Sequence, residues 1–558
     1  MKNILKKITL SALAAFTLTS CIEETFPEGG TVTQDQVAQS SSALQAMMSS
    51  VPAAMILPYA NTGSDRQAWD FGYPAIAIAL THMSGDLVVG GEDGYNWFGA
   101  WDQNVAMGER YAYNAYTFWY NYYAWMKPCN DVISTVKSVP QESWTIDQRH
   151  IIGVALAFRA HFYLDMVRLY QPKPATDPDI TGYEISNEIK DLACVIVTEA
   201  TTPEMAKANP RATVDDIYNQ VILPDLALAE ICLADYERPQ PTMPDLAVVY
   251  GLSARAYLER GFAGVEGAYA KAAEYARKAI TTGAKTPLTQ AQWENPTTGF
   301  NSYAANSNSW MWCTTQTSDQ VGNLASFIAH MSTEENWTNY GKTVGRSIVS
   351  TLYDQIADTD FRKHSWLDPD FFDYYEYKSC RPDAKQFFLT VYSGTDRTRE
   401  YGAIKFRPGQ GDYVNYNTGN AIDFPVMRME EMLLIEAEAT GAQNLEQGKA
   451  LLEAFVKTRQ PDYTCNAINL AGFQEQIAKQ ARIEFWGEGI PFYYKKRLAQ
   501  GIHLSGTNCW NDVARWELDG VAPWWNLCVP ITERQANPAI TEQLNNPDPE
   551  EVIEPAKE

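Results

Sequence analysis

The chain has 558 residues, ample for a large core. It carries 44 Lys and Arg against 68 Asp and Glu, a formal net charge of −24, and a surface of that sign repels phosphate backbones, which argues against nucleic acid as a partner. Aromatic residues make up 12% of the chain, with 16 Trp and 31 Tyr, enough to ask whether some face a ligand rather than the core.

At the N-terminus, Lys2, Lys6 and Lys7 precede a short apolar run from Ile8 to Leu18. A bilayer span needs about 20 apolar residues, so this run reads as the h-region of a signal peptide covering residues 1–20. Leu18-Thr19-Ser20-Cys21 follows, and it resembles the lipobox of bacterial lipoproteins, in which the cysteine thiol takes a diacylglycerol before cleavage. Acyl chains on Cys21 suffice as a sole anchor, since each buried methylene contributes about 0.8 kcal/mol and two or more chains hold stably. The acidic pair Glu23 and Glu24 resembles a surface-export signal of some Gram-negative lipoproteins. Residues 21–45 are expected to be a flexible leash, and no later segment reads as a membrane span.

Further along, "GDLVVGGEDGYNWFGAWDQN" places Tyr95, Trp97, Phe98 and Trp101 among glycines, Asn96, Asp86, Asp93 and Asp102. Such a mixture argues against a core helix. The dense run "YAYNAYTFWYNYYAWMKP" has aromatics on every helical face and reads as a buried scaffold helix. In "DQRHIIGVALAFRAHFYLDMVRLY", Ile151, Ala155, Phe158, Phe162, Met166 and Leu169 make one stripe of an amphipathic helix. Thr213 and Asp216 form a capping-box-like start to a helix that Pro224 should kink. Asp245 can cap the next helix, and Gly261 sits where a terminating glycine belongs.

From Tyr250 to Ile280 the pattern suits a tetratricopeptide-like helix pair, with Tyr250, Ala254 and Tyr257 on the first helix and Ala272, Ala276 and Ala279 on the second. A second pair is read in "RMEEMLLIEAEATGAQNLEQGKALLEAFVKTR". Between these blocks, residues 284–420 are rich in Pro, Gly, Asn and aromatics. This is expected to be a loop-rich insertion with a short helix around Val349 to Ile356 and short strands at "NSWMWCTTQT" and "QFFLTVYSG". The fold expected is therefore mainly α: a tetratricopeptide-like helical repeat scaffold, one domain over 46–558, with a loop-rich insertion carrying a few short strands.

Beyond Cys21 the cysteines stand at 129, 194, 232, 313, 380, 465, 509 and 528, with no C-x-x-C pair and hence no metal-site spacing. Cys509 and Cys528 are the closest-spaced and offer one disulfide that export would permit. The six His residues show no H-E-x-x-H, and neither G-x-S-x-G nor a P-loop occurs. No cofactor and no metal are expected.

These landmarks together resemble the SusD/RagB family of outer-membrane glycan-binding lipoproteins, nearly end to end. The pieces are the lipobox at Cys21, "FRAHFYLDMVRLY" followed by "QPKP", "RATVDDIYNQVILPDLALAE", "ARAYLERG…YAKAAEYARKAI", "PVMRMEEMLLIEAEA", "ARIEFWGEG" and "VPITERQANPAITEQ". A departure follows "ARIEFWGEG", where Ile490-Pro491-Phe492-Tyr493-Tyr494 replaces the family's usual continuation. The resemblance implies an outer-membrane, surface-facing protein that binds an oligosaccharide or polysaccharide. It also implies a partner, a SusC-like TonB-dependent barrel on which the lipoprotein sits as a lid.

A sugar offers apolar C–H faces and hydroxyl edges, so its site needs aromatic platforms beside polar groups. The family's platform lies between early helices, which points to Trp97 and Trp101 with Tyr95, Asn96 and Asp86. Trp293, Trp337 and Tyr340 in the insertion are the second set. Trp310 and Trp312 share one face of a strand and read as core, while Trp524 and Trp525 are open to either reading. The rivals are an exported glycoside hydrolase and a repeat-type protein-interaction scaffold. A hydrolase needs two carboxylates about 5–10 Å apart, but with 68 acids a chance pair is nearly guaranteed. Glu430, Glu431, Glu436 and Glu438 fall on repeat helices. The reading reached is non-enzymatic capture of a glycan by aromatic stacking.

Overall fold

The computed structural model describes residues 37–89, 106–298, 300–337, 346–367, 401–510, 512–550 and 552. The leader, Cys21, Glu23 and Glu24 lie outside this range. Helix α1 spans Ser41–Ala54, with the Ser40 hydroxyl accepting from the Ala43 N–H and with Leu44, Met48 and Val51 buried. Ordered packing therefore begins before residue 45, earlier than the leash expected over 21–45. Helix α2 (Tyr73–Met83) is apolar on every side and buried, and strand β1 (Leu87–Val89) follows it.

Helices α3 (Asn121–Lys137) and α4 (Ile146–Tyr170) pack together. The Thr145–Gln148 capping box starts α4, each side chain satisfying the other's backbone N–H. The sequence pattern suggested one apolar stripe, but α4 is buried almost all round. It is also long and apolar enough to cross a membrane, contrary to the expectation from sequence; 94% of its apolar window is buried in the core instead. What makes this possible is that its polar residues have partners inside. Arg159 forms a two-point pair with Asp225 at 2.7 and 2.8 Å, and Asp165 pairs with Arg168.

Strands β2 (Leu192–Val195) and β3 (Arg211–Thr213) form a small antiparallel pair. Thr213 caps the next helical segment, accepting from the Asp216 N–H at 3.0 Å. A π-helical turn over Tyr218–Ile222 then precedes α5 (Leu223–Cys232), with Pro224 in its first turn. Widening the helix just before Pro224 makes room for a ring that would clash with the preceding turn, so the chain absorbs the proline locally.

Asp245 caps α6 (Leu246–Phe262) through the Val248 N–H, and α7 (Ala268–Gly283) packs on it, burying Ala272, Ala276 and Ala279. Tyr257 stacks on Tyr275 with ring centroids 5.6 Å apart. Gly261 does not terminate α6, which continues to Phe262; it is small because the Tyr269 ring lies where a side chain would go, 2.7 Å from an ideal Cβ. Helix α7 packs in turn on α8 (Met429–Gly441), and α8 on α9 (Leu445–Val456). At that crossing an added Cβ on Gly448 would come within 2.4 Å of the Gly441 Cα. The tetratricopeptide-like scaffold is thus present, with helix pairs that approach through small residues.

The insertion between α7 and α8 holds short elements. Strand β4 (Trp310–Thr315) lies at the expected place; β5 (Arg346–Ile348) is followed by a helical turn at Ser350–Tyr353. Strand β6 (Asp423–Arg428) pairs antiparallel with β4, and Trp310 and Trp312 are buried. The expected strand at "QFFLTVYSG" lies outside the described residues. Helices α10 (Leu470–Glu484) and α11 (Ile490–Arg497) close the scaffold, with α11 packing back onto α2. A last pair, β7 (Ile502–His503) with β8 (Glu517–Leu518), precedes buried Trp524 and Trp525, whose indole N–H groups both donate to the Met83 carbonyl. Cys509 and Cys528 are not joined: the Cys528 sulfur lies 3.4 Å from the Met107 carbonyl oxygen.

Candidate functional site

Strand β1 pairs antiparallel with β5, Leu87 opposite Ile348 and Val89 opposite Arg346. Val89 is the last described residue before 90–105, and Arg346 is the first after 338–345. The first stretch carries Tyr95, Asn96, Trp97 and Trp101; the second carries Tyr340. All five lie outside the described residues. The described ends of the two stretches nevertheless share one end of a two-stranded ribbon.

That ribbon is clamped from below. Arg482 on α10 reaches the Asp86 carboxylate with a two-point pair at 2.7 and 2.9 Å. The Asp86 carbonyl oxygen accepts from the Trp486 indole N–H at 2.8 Å and from the Val349 N–H at 3.2 Å. Lys495 donates to the Ser84 carbonyl at 2.6 Å and stands 3.8 Å from Asp86. Burial pushes the Lys495 ammonium down to about 8, with the Asp86 carboxylate opposing. On the other side of the turn, His82 meets the Leu87 carbonyl oxygen at 3.1 Å. Burial lowers its imidazole to about 4, so it is neutral near pH 7.

Asp86 is therefore corrected from a sugar contact to a clamp: it is fully buried, and its carboxylate is directed at Arg482. Trp293 is corrected likewise. It is 3% exposed, its indole N–H donates to the Ser365 hydroxyl at 2.8 Å, and Phe300 and Phe361 meet it edge-on, leaving no face for a sugar to stack on. Trp337 is half-buried at the described end of its stretch, its ring filling the space beside Gly419.

Sequence reasoning treated "ARIEFWGEG" as a landmark without a task, and here it is the fastening point. Arg482 and Trp486 hold Asp86. Glu484 accepts from Arg362, Arg428 and Arg459 at 3.1–3.2 Å. Burial would raise its carboxyl, but the three guanidiniums outweigh that and hold it well below the ordinary range. Glu488 accepts from Lys405 at 2.6 Å and Arg428 at 2.9 Å. Glu430 pairs with Arg428 and Arg459, both at 3.0 Å, and Asp360 with Arg362 at 2.7 Å. Gly487 sits at φ +80° with the Phe406 ring against it, a position that excludes a side chain. A legible signal was there: alternating Arg and Glu within an apolar segment, beside glycines.

The remaining acids weighed for catalysis are also paired. Glu431 binds Arg255 at 2.5 and 2.6 Å, Glu436 binds Arg277 at 2.6 and 2.7 Å, and Glu438 binds Arg497 at 2.7 and 2.8 Å. Among the described residues, no group of three or more His, Cys, Asp or Glu is placed to hold a metal ion.

Residues 64–258 match a SusD-like family model described as starch-binding and associating with the outer membrane. That stretch runs through α2, the clamp at Asp86, α4 and most of α6. Over these residues the chain is similar to the SusD-like family. Beyond residue 258 the likeness is one of fold. A SusD-like carbohydrate-binding protein from Bacteroides vulgatus superposes with a TM-score of 0.67 at 20% identity, over 90% of this chain and 98% of its own. A SusD superfamily protein from Bacteroides thetaiotaomicron gives 0.65 at 17%, over 91% and 100%. One from Parabacteroides distasonis gives 0.61 at 16%, over 89% and 98%. No curated protein matches the sequence. The mainly α, tetratricopeptide-like fold expected of a SusD-like chain is the fold observed.

Proposed function

We propose that this SusD-like chain is a lipoprotein, anchored through Cys21 to the outer membrane and facing outward, that captures an oligosaccharide by aromatic stacking. It hands that glycan to a SusC-like TonB-dependent barrel and carries out no catalysis of its own. The observation that carries this reading is the match of residues 64–258 to a family described as starch-binding and outer-membrane-associated. The carbohydrate-binding relative of the same fold supports it. So does the ion pairing of Glu430, Glu431, Glu436, Glu438 and Glu484, which leaves these acids occupied rather than poised for acid–base work.

The platform proposed is Trp97 and Trp101, with Tyr95, Asn96, Trp337 and Tyr340 as further contacts. Changing Trp97 and Trp101 together to Ala should weaken oligosaccharide binding about tenfold or more, equivalent to about 1.4 kcal/mol, without shifting the melting temperature. Intrinsic fluorescence titration against a glycan panel reads this directly. Unchanged affinity in the double variant would discard the Trp97–Trp101 platform, and slow release of reducing sugar would replace capture with hydrolysis.

A further inference from the structure

An open cleft of about 550 Å³ lies between the end of α4, the turn before α5, the end of α6 and α11. Its size suits a small-molecule ligand of one or two rings. In a chain of net charge −24, its lining brings Arg168, Lys173, Arg260, Lys496 and Arg497 together beside Asp191, Asp215 and Glu259.

Each arginine has a carboxylate partner within the protein. Arg168 pairs with Asp165 and lies 3.6 Å over the Tyr493 ring. Arg260 pairs with Asp215 at 2.5 Å, and Arg497 with Glu438 at 2.7 Å and Glu259 at 3.2 Å. The two lysines are not. Lys496 is 3% exposed and gives two of its three N–H bonds to neutral acceptors, the Leu169 and Trp525 carbonyls at 2.9 and 2.7 Å. Lys173 is half-buried, is held by a backbone bond to Asn526, and has no ion pair at its ammonium among the described residues. Burial lowers both ammoniums, and the Lys173 charge lowers Lys496 further; Glu259 and the exposed Asp191 are the carboxylates that partly offset this. Each ammonium therefore keeps a donor that no carboxylate takes up. At the mouth, Phe262 and Val265 are 36% and 39% exposed and form an apolar wall.

We propose that this cleft is a second ligand site and takes an anionic saccharide unit, its carboxylate or sulfate ester meeting Lys173 and Lys496 and its ring resting against Phe262 and Val265. The choice of a sugar among anions rests on the glycan reading above; the choice of an anion does not. The test titrates the purified protein by calorimetry with a uronic-acid disaccharide, a sulfated disaccharide, their neutral counterpart and inorganic sulfate. At low salt the wild type should prefer one of the anionic disaccharides to the neutral one by about tenfold or more, and salt should erode that preference.

Lys173→Glu and the milder Lys173→Gln should each abolish the preference while leaving the melting temperature and the affinity for neutral oligosaccharides unchanged. The uronic and sulfated ligands tell the two anion sources apart. Equal affinities in the wild type and Lys173→Glu, or no heat with either anionic disaccharide at about 10 mM, would overturn the proposal. Inorganic sulfate binding as tightly as the disaccharides would overturn its saccharide part. Loss of neutral-glycan binding in the Trp97/Trp101 variant with anion preference intact separates the platform's fate from the cleft's.

Discussion

Two charged regions of this protein are built by opposite rules. Around Glu484, four cations (Arg362, Lys405, Arg428, Arg459) face four anions (Asp360, Glu430, Glu484, Glu488), all buried and paired. In the cleft at Lys173 and Lys496, ammoniums are gathered without a carboxylate bonded to either. The first arrangement has nothing left to offer a ligand. It locks α8, α10 and the insertion together and, through Arg482 and Trp486 on Asp86, fixes the Leu87–Ile348 end of the ribbon, opposite the Val89–Arg346 end at which the aromatic stretches join it. The second leaves two lysines without a bonded carboxylate, and on the proposal above it is this that makes it a binding surface.

The largest way to break the balanced region is Glu484→Gln. Removing that charge leaves four buried cations facing three anions, and breaking a buried pair costs about 3–5 kcal/mol; denaturant unfolding should show the midpoint falling with the slope unchanged. Next is Gly448→Ala. Alanine is the better helix former by about 1 kcal/mol, but its Cβ would meet the Gly441 backbone at 2.4 Å, which cannot swing aside. Overpacking of this kind costs about 1–3 kcal/mol, so the variant should be less stable despite its helix propensity, as thermal melts will show.

Acid should weaken the interior in a defined window. The imidazoles of His82 and His161 stand near 4 when folded, lowered by burial, and His330 is lowered too. In the unfolded chain they return to about 6.5. The unfolded state therefore binds more protons between those values, and this contribution to stability is lost as pH falls from about 6.5 to about 4 and is flat above. Replacing His161 with Gln should flatten part of that slope in melts across the window. The smallest effect is predicted for Lys173→Gln: a change within about 0.5 kcal/mol, because its ammonium holds nothing in place.

Much of the scaffold was legible because helices announce themselves locally. Thr213 and Asp245 cap where the sequence places them, and Ala272, Ala276 and Ala279 turn inward with the spacing of one helical face. Less legible was everything set by long-range contact. Helix α4 looked amphipathic because Arg159 and Asp165 are charged, yet their partners at Asp225 and Arg168 let them be buried. Asp86 and Trp293 looked like sugar contacts because they stand among polar and aromatic neighbours in sequence, while in space one meets Arg482 and the other Ser365.

By itself, then, the sequence determined a helical repeat scaffold and the order of its landmarks, since each depends on residues within a few turns of one another. Only the tertiary structure decided which charges cancel. Arg482 and Asp86 lie 396 positions apart, and no local pattern can tell a carboxylate that will be clamped from one that will face a ligand. The pairing of Val89 with Arg346, and the gathering of Lys173 with Lys496, are likewise products of closure of the fold, where desolvation makes each unmatched charge consequential.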